Sequence, residues 1–133
     1  RTLADAFEAG RQLRERLDLE AAIVTLDRDG MALVHSDGRQ EAFPTRPRQV
    51  YDITGAGDMV MAVLGMALAA GAEYGPAIRL ANVAGGLEVE KIGVATVTRE
   101  EILADIQGGA GRCIAKVMPQ AALIHEVKRR REA

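Results

Sequence analysis

The chain has 133 residues and a formal net charge of -2, with 48% apolar and 27% charged side chains. That length supports one domain with a genuine core, the composition excludes a disordered chain, and the near-neutral charge supplies no field to recruit nucleic acid or an acidic membrane. The single cysteine, Cys113, excludes an internal disulfide framework and a cysteine-rich zinc site, and it fits a reducing, cytoplasmic setting.

No signal-like start and no run of about 18 apolar residues is present, so a soluble, intracellular protein is expected. Aromatics make up only 3%, which leaves the core to Ala, Val, Leu, Ile and Met, a composition at home in layered α/β proteins. The chain opens at Arg1 with a helix already under way and reads as a piece of a longer polypeptide.

Residues 2–17 carry Leu3, Phe7, Ala9, Leu13 and Leu17 at helical spacing among many charges. "AAIVTL" (21–26) reads as a buried strand, "DRDG" (27–30) as a hairpin turn, "MALVHS" as the return strand, and "QEAFPT" as a third strand after a second turn. Pro44 and Pro47 then prevent regular pairing. From Ala56 to Ala70 the pattern is apolar almost all round, as expected of a helix in the middle of a protein, and Gly71 suits its C-terminus. Gly75-Pro76 starts another helix running to about Glu90.

"KIGVATVT" reads as a loop and a short strand, and Thr98 with Glu101 forms a capping box for a helix over 99–106. "QGGAGR" (107–112) reads as a glycine-rich break. A domain boundary is placed there, giving 1–107 as one unit and 108–133 as a linker and a short amphipathic helix leading toward a further domain.

The stretch "DITGAGD" (52–58) carries the chemistry. The first N–H groups of a helix lack internal partners and point outward with partial positive charge behind them. Gly55, Ala56 and Gly57 remove the bulk that would keep an anion away, so this loop-to-helix junction is an oxyanion cradle suited to a phosphoryl group. Asp58 in the same turn could accept a hydroxyl proton as that oxygen attacks phosphorus. A Walker loop is excluded because no glycine precedes a Lys-Ser/Thr pair at the required spacing. A dinucleotide fingerprint is excluded because Val60 stands at its third glycine position. The competing reading of the same string is a tight turn with a dipole-stabilising acid.

Other residues carry bland readings. His35 and His125 have no second ligand nearby, Cys113 is incidental, and Lys128 to Arg131 are solvated cations at a helix end rather than a nucleic-acid site. Met59, Met61 and Met66 are core packing, and Gly108, Gly109 and Gly111 follow no strand, so they do not form a phosphate loop.

"DITGAGD" followed by an apolar helix resembles the second signature of the ribokinase, or PfkB, family of sugar kinases. "VTLDRDG" resembles that family's strand and turn beside ATP, and "LANVAGGLEVEKIG" its adenine-side helix; the three occur in the family's order and spacing. Within the family, "VYDITGAGDMVMAVLGMALAAG" and "KIGVATVTREEI" are most similar to heptose-7-phosphate kinase domains that precede a nucleotidyltransferase and supply ADP-heptose for lipopolysaccharide. "KVMPQAALIHEV" resembles the segment joining the two.

The resemblance covers roughly residues 1–107. It implies the C-terminal portion of a three-layer αβα sandwich with a mostly parallel sheet. It also implies ATP and Mg²⁺ as cofactors, with a sugar phosphate as the other partner. Asp58 would be the catalytic base, and Gly55, Ala56 and Gly57 the anion hole. Thr25, Asp27 and Gly30 would lie near the nucleotide phosphates or ribose, and Asn82 and Gly86 near adenine. Asp52 and Thr54 match positions that hold a monovalent cation, K⁺, with the 91–96 loop completing the site.

Met59 departs from the usual Thr or Ala. The family's N-terminal half, with its sugar-binding residues and Mg²⁺-associated acidic motif, has no counterpart here, and no H-x-G-H motif follows. The alternatives are therefore a ribokinase or fructokinase type of parent, and a nucleotide-binding fragment with no turnover of its own. Surface left bare by a missing half would also favour self-association.

Overall fold

The structure is a computed structural model that describes the backbone of residues 2–114 and the side chains of residues 2–108. The side chains of Cys113, His125 and Lys128–Arg131, and the amphipathic helix expected beyond residue 114, lie outside the described residues. Two compact units are separated between Thr98 and Arg99.

The first unit opens with α1 (Leu3–Leu17). Its start is set by reciprocal bonds: the Asp5 N–H donates to Thr2 Oγ1 (3.2 Å), and the Thr2 N–H donates to Asp5 Oδ2 (2.7 Å). Ala6 and Gly10 are the buried residues of the helix, and Gly10 lets it settle on the sheet, since a β-carbon there would lie 2.9 Å from Val34 Cγ2. Of the expected apolar stripe, Leu3, Ala9, Leu13 and Leu17 are exposed and Phe7 is half-buried, so the helix is seated through Ala6 and Gly10 instead.

Strands β1 (Ala21–Thr25), β2 (Met31–His35) and β3 (Gln40–Phe43) form an antiparallel sheet in the order β1-β2-β3. Ile23 pairs with Leu33, and Leu33 with Glu41. The mostly parallel arrangement expected from sequence is thus absent from the described strands. Their connections, a single 3-10 turn at Asp27–Asp29 and the short 36–39 turn, are far too short for a parallel crossover. Met31, Ala32, Leu33 and Val34 are all at most 2% exposed, so β2 is covered on both faces. Val34 meets α1, while Phe43, which pairs with Met31, packs against the helix that carries Gly75 and Arg79.

Those helices are α2 (Ala56–Ala69) and α3 (Tyr74–Val89), joined by a turn in which Gly71 takes a left-handed conformation (φ 86°). Pro76 sits in the first turn of α3, where its missing N–H costs nothing. The stripe Ala77, Ala81, Ala84, Gly85 and Glu88 is buried, and α2 approaches it so closely that a β-carbon on Gly85 would stand 2.7 Å from Val60 Cγ2. The outer side of α2 departs from expectation. Only Val63 and Ala67 are buried, while Met61 and Met66 are 74% and 65% exposed. α3 covers one face of α2, and nothing among the described residues covers the other.

After α3 the chain runs through bends to Thr98, without the short strand expected in 91–98. In the second unit, α4 (Arg99–Ile114) continues through residues 107–112, where a glycine-rich break was expected. Glycine costs about 1 kcal/mol at a helix position, a penalty that a 16-residue helix absorbs without ending.

Candidate functional site

The "TGAGD" turn is held from two sides. The Tyr51 N–H donates to the Val89 carbonyl at the end of α3 (2.8 Å). One residue on, Asp52 accepts the Thr54 N–H at Oδ1 (2.9 Å) and the Gly93 N–H at Oδ2 (3.1 Å). These backbone donors, Thr54 first, hold the Asp52 carboxyl below the ordinary carboxylate range. The chain then enters α2 through Gly55 in a left-handed conformation (φ 92°), which glycine adopts without steric cost.

At the head of α2 the Ala56 N–H turns back to the Ile53 carbonyl (3.3 Å), and the Met59 N–H reaches the Gly55 carbonyl (2.9 Å). The N–H groups of Gly57 and Asp58 have no backbone acceptor among the described residues. Both residues are exposed, and a β-carbon added to Gly57 would meet nothing within 4 Å. Packing within the chain therefore does not require glycine at 57; open approach to the backbone is what its absent side chain provides. Two N–H groups without a backbone acceptor, the positive end of the helix dipole and an exposed carboxylate thus share the first turn of α2, an arrangement chemically suited to an anion.

A second cluster forms where β3 meets α3. Asn82 Nδ2 donates to the Phe43 carbonyl (3.0 Å), and these two residues with Pro44, Arg46, Arg48 and Val83 line a cavity of about 360 Å³. Gly86 lies against the Arg48 side chain, since a β-carbon there would overlap Arg48 Nε. The Arg48 guanidinium is held by Glu90 (3.0 Å). Arg79 stands 5.3 Å from the centre of the Phe43 ring, in cation–π geometry.

Thr25, Asp27 and Gly30 lie at the same end of the sheet as Phe43, at the turn that joins β1 to β2. Thr25 and Asp27 are exposed, and Asp27 takes a left-handed conformation (φ 55°). Gly30 (φ 106°) is buried against β3, where a β-carbon would overlap the Phe43 carbonyl oxygen. Thr45 Oγ1 donates to the Arg28 carbonyl, so this turn is tied to the segment following β3. Phe43 thereby joins Gly30 and Asn82, whereas Gly55–Asp58 form a separate cluster with Asp52, Thr54 and the 91–96 loop.

Two residues escaped the sequence reading. Glu88, 2% exposed, lies beneath Gly55: a β-carbon on Gly55 would come 2.7 Å from its Oε1. Burial pushes the Glu88 carboxyl up, the Asp58 charge adds to that, and the Ala95 N–H and Lys91 ammonium oppose it. An acid falling in register with Ala77, Ala81, Ala84 and Gly85 was the available signal. Arg48 lay in a proline-interrupted run with no periodicity to mark it. A larger cavity of about 770 Å³, near His35, Arg39, Glu41 and Tyr74, touches none of the predicted site residues. The His35 ring meets the Glu41 carboxylate (2.9 Å) and the edge of the Tyr74 ring. The described residues contain no cluster of three His, Cys, Asp or Glu side chains arranged for a metal ion.

The model of the pfkB family carbohydrate kinases matches residues 1–101. The chain belongs to that family. The relatives include the bifunctional protein HldE of Geotalea uraniireducens, 43% identical over 128 residues, covering 96% of this chain and 26% of that protein. HldE of Geobacter sulfurreducens is 46% identical over 109 residues, covering 82% of this chain and 22% of the relative. The chain thus spans about a quarter of the length of these curated relatives, matching their kinase region.

Among solved structures, the ribokinase of Thermotoga maritima superposes with a TM-score of 0.70 at 27% identity, over 75% of this chain and 34% of that one. Arabidopsis thaliana ribokinase, solved with ribose and ATP, gives 0.63 at 28% identity, over 67% and 30%. The fold is ribokinase-like α/β, and the chain corresponds to the C-terminal portion of the kinase region of its HldE relatives. Among the described residues no helix is long and apolar enough to cross a membrane.

Proposed function

We propose that the polypeptide carrying this PfkB segment transfers the γ-phosphoryl of MgATP to a hydroxyl of D-glycero-β-D-manno-heptose 7-phosphate, in the cytoplasm. The observation that carries the phosphoryl-transfer reading is the head of α2, where two unpartnered N–H groups, the open Gly57 and the exposed Asp58 share one turn. The Asp58 carboxylate takes the proton from the sugar hydroxyl, and that oxygen forms a bond to the γ-phosphorus. The bond from phosphorus to the oxygen bridging the β-phosphate breaks, and ADP leaves. Charge on the moving group falls on the N–H groups of the Gly55–Gly57 turn.

The cavity lined by Asn82 and Arg48, with Gly86 behind the Arg48 side chain, receives the adenine, and Thr25, Asp27 and Gly30 line the path toward ribose and phosphates. A monovalent cation, K⁺, fits the ionised Asp52 and Thr54 beside the 91–96 loop, where it would add positive charge behind the anion hole. The heptose assignment is supported by the likeness of residues 50–71 and 91–102 to heptose kinases; ribokinase and fructokinase substrates are the alternatives. The exposed Met61 and Met66 face of α2 favours a second description of the isolated chain, as a nucleotide-binding unit that self-associates and does not turn over.

Calorimetric titration of the chain with MgATP, beside Gly57→Val, tests the nucleotide site. Saturable binding that Gly57→Val abolishes is expected; equal binding by both proteins would exclude the turn as the phosphate cradle. Phosphoryl transfer by the complete polypeptide, offered heptose 7-phosphate, ribose and fructose in parallel, tests the substrate. Preference for either pentose or hexose would overturn the heptose reading.

A further inference from the structure

We propose that Glu88 is a positioning residue for the head of α2, its carboxyl wedged between Gly55 and Ala95 so as to fix the anion-hole turn against the 91–96 loop. Glu88 occupies a place where hydrocarbon would serve packing better. Its neighbours in the buried stripe of α3 are alanines and a glycine, and it is itself 2% exposed. Its Oε2 is buried with no hydrogen-bond partner among the described residues. A buried carboxyl oxygen left in that state costs stability, and an apolar side chain of similar volume would not carry the cost.

What the carboxyl does that hydrocarbon cannot is accept the Ala95 N–H while lying directly under Gly55, with Val94 Cγ1 3.5 Å from the same point on Gly55. The loop is therefore pinned twice, by Asp52 at Gly93 and by Glu88 at Ala95, with Gly55 between. Asp58 from α2 and Lys91 from the loop are the charged groups that act on the carboxyl. Gly55 has room for no side chain above it, so the position of Oε1 sets where the Gly55–Asp58 backbone stands. That this backbone is the phosphoryl site rests on the function proposed above; that Glu88 sets its position does not.

The experiment compares Glu88→Gln and Glu88→Leu by amide hydrogen exchange, thermal melting and kinase kinetics in the complete polypeptide. Gln keeps the volume and the acceptor, so exchange within 54–58 and 93–96 should stay within about twofold of the parent. Leu keeps the volume and removes the acceptor. Exchange in those two segments should rise about tenfold or more while the rest of α2 and α3 is unchanged, and Tm should hold or rise. The kcat of Glu88→Leu should fall about tenfold or more with the KM for ATP within about threefold, because the Asn82 cavity is untouched.

Unchanged exchange in Glu88→Leu overturns the proposal, as does a uniform rise across both helices with a lowered Tm, which would mark plain packing. Should Leu prevent folding, Glu88→Met is read by the same criteria. Absence of any phosphoryl transfer by the parent would sink the kinase reading, and the exchange result would still decide the role of Glu88.

Discussion

Asp52 and Gly93, 41 residues apart in sequence, are joined by one carboxylate oxygen: Asp52 Oδ2 accepts the Gly93 N–H at 3.1 Å while its other oxygen accepts the Thr54 N–H. Both bonds favour the charged acid, so its folded-state value lies below the ordinary 3.8. The contribution to the folded state is present above the unfolded value and is lost as pH falls through the lower, folded one. The Gly93 amide shift, followed by NMR across an acid titration, should move with a midpoint below that of a free aspartate. A midpoint at or above the free value would show that the bond does not form in solution. The carboxylate is solvent-accessible, so global stability should change little.

Gly57→Val separates folding from function. An added β-carbon meets nothing within 4 Å, and valine is no worse a helix former than glycine, so Tm should be unchanged or slightly raised. MgATP binding and turnover should both collapse, because two methyl groups then stand in front of the N–H groups. A variant that melts early would indicate that residue 57 packs against something, and the loss of binding would carry no meaning.

Asp58→Asn removes a base and leaves the turn in place. Single-turnover kinetics in the complete polypeptide should show kcat lowered by about 10²–10⁴, the range for a positioned general base, with ATP affinity retained. Turnover within twofold of the parent would take Asp58 out of the chemistry.

The α2–α3 seam is testable without any assumption about function. Gly85→Ala would bring a β-carbon 2.7 Å from Val60 Cγ2, a stiff branched side chain that cannot swing aside. Overpacking of this kind costs about 1–3 kcal/mol, against at most about 1 kcal/mol gained in helix propensity. Net destabilisation in urea is expected, with partial recovery in the double variant Val60→Ala/Gly85→Ala. Additive losses would mean that the two helices do not meet there.

Much of this was legible in local sequence. Apolar runs broken by Asp-Gly turns marked β1 to β3, and Gly71 and Pro76 punctuated the two helices of the seam. The contiguous "TGAGD" could be read as a cradle because its chemistry lies in five consecutive residues. Contacts across sequence could not be read in that way. Nothing near Gly30 in sequence showed that the Phe43 carbonyl stands against it and leaves no room for a side chain. Likewise, nothing near Gly86 in sequence showed that the Arg48 side chain lies against it. Met61 and Met66 showed which surface is apolar without showing what covers it, and the run from 107 to 112 showed that glycine weakens a helix without ending it.

Asn82 has a further consequence. One of its amide hydrogens is already given to the Phe43 carbonyl, and that bond fixes the plane of the amide. Asn82 also lines the adjoining cavity, and its second amide hydrogen and its oxygen are not used by that bond. A ligand with the matching edge would meet a side chain whose rotational freedom was given up when the chain folded, so little further ordering is left for the encounter itself.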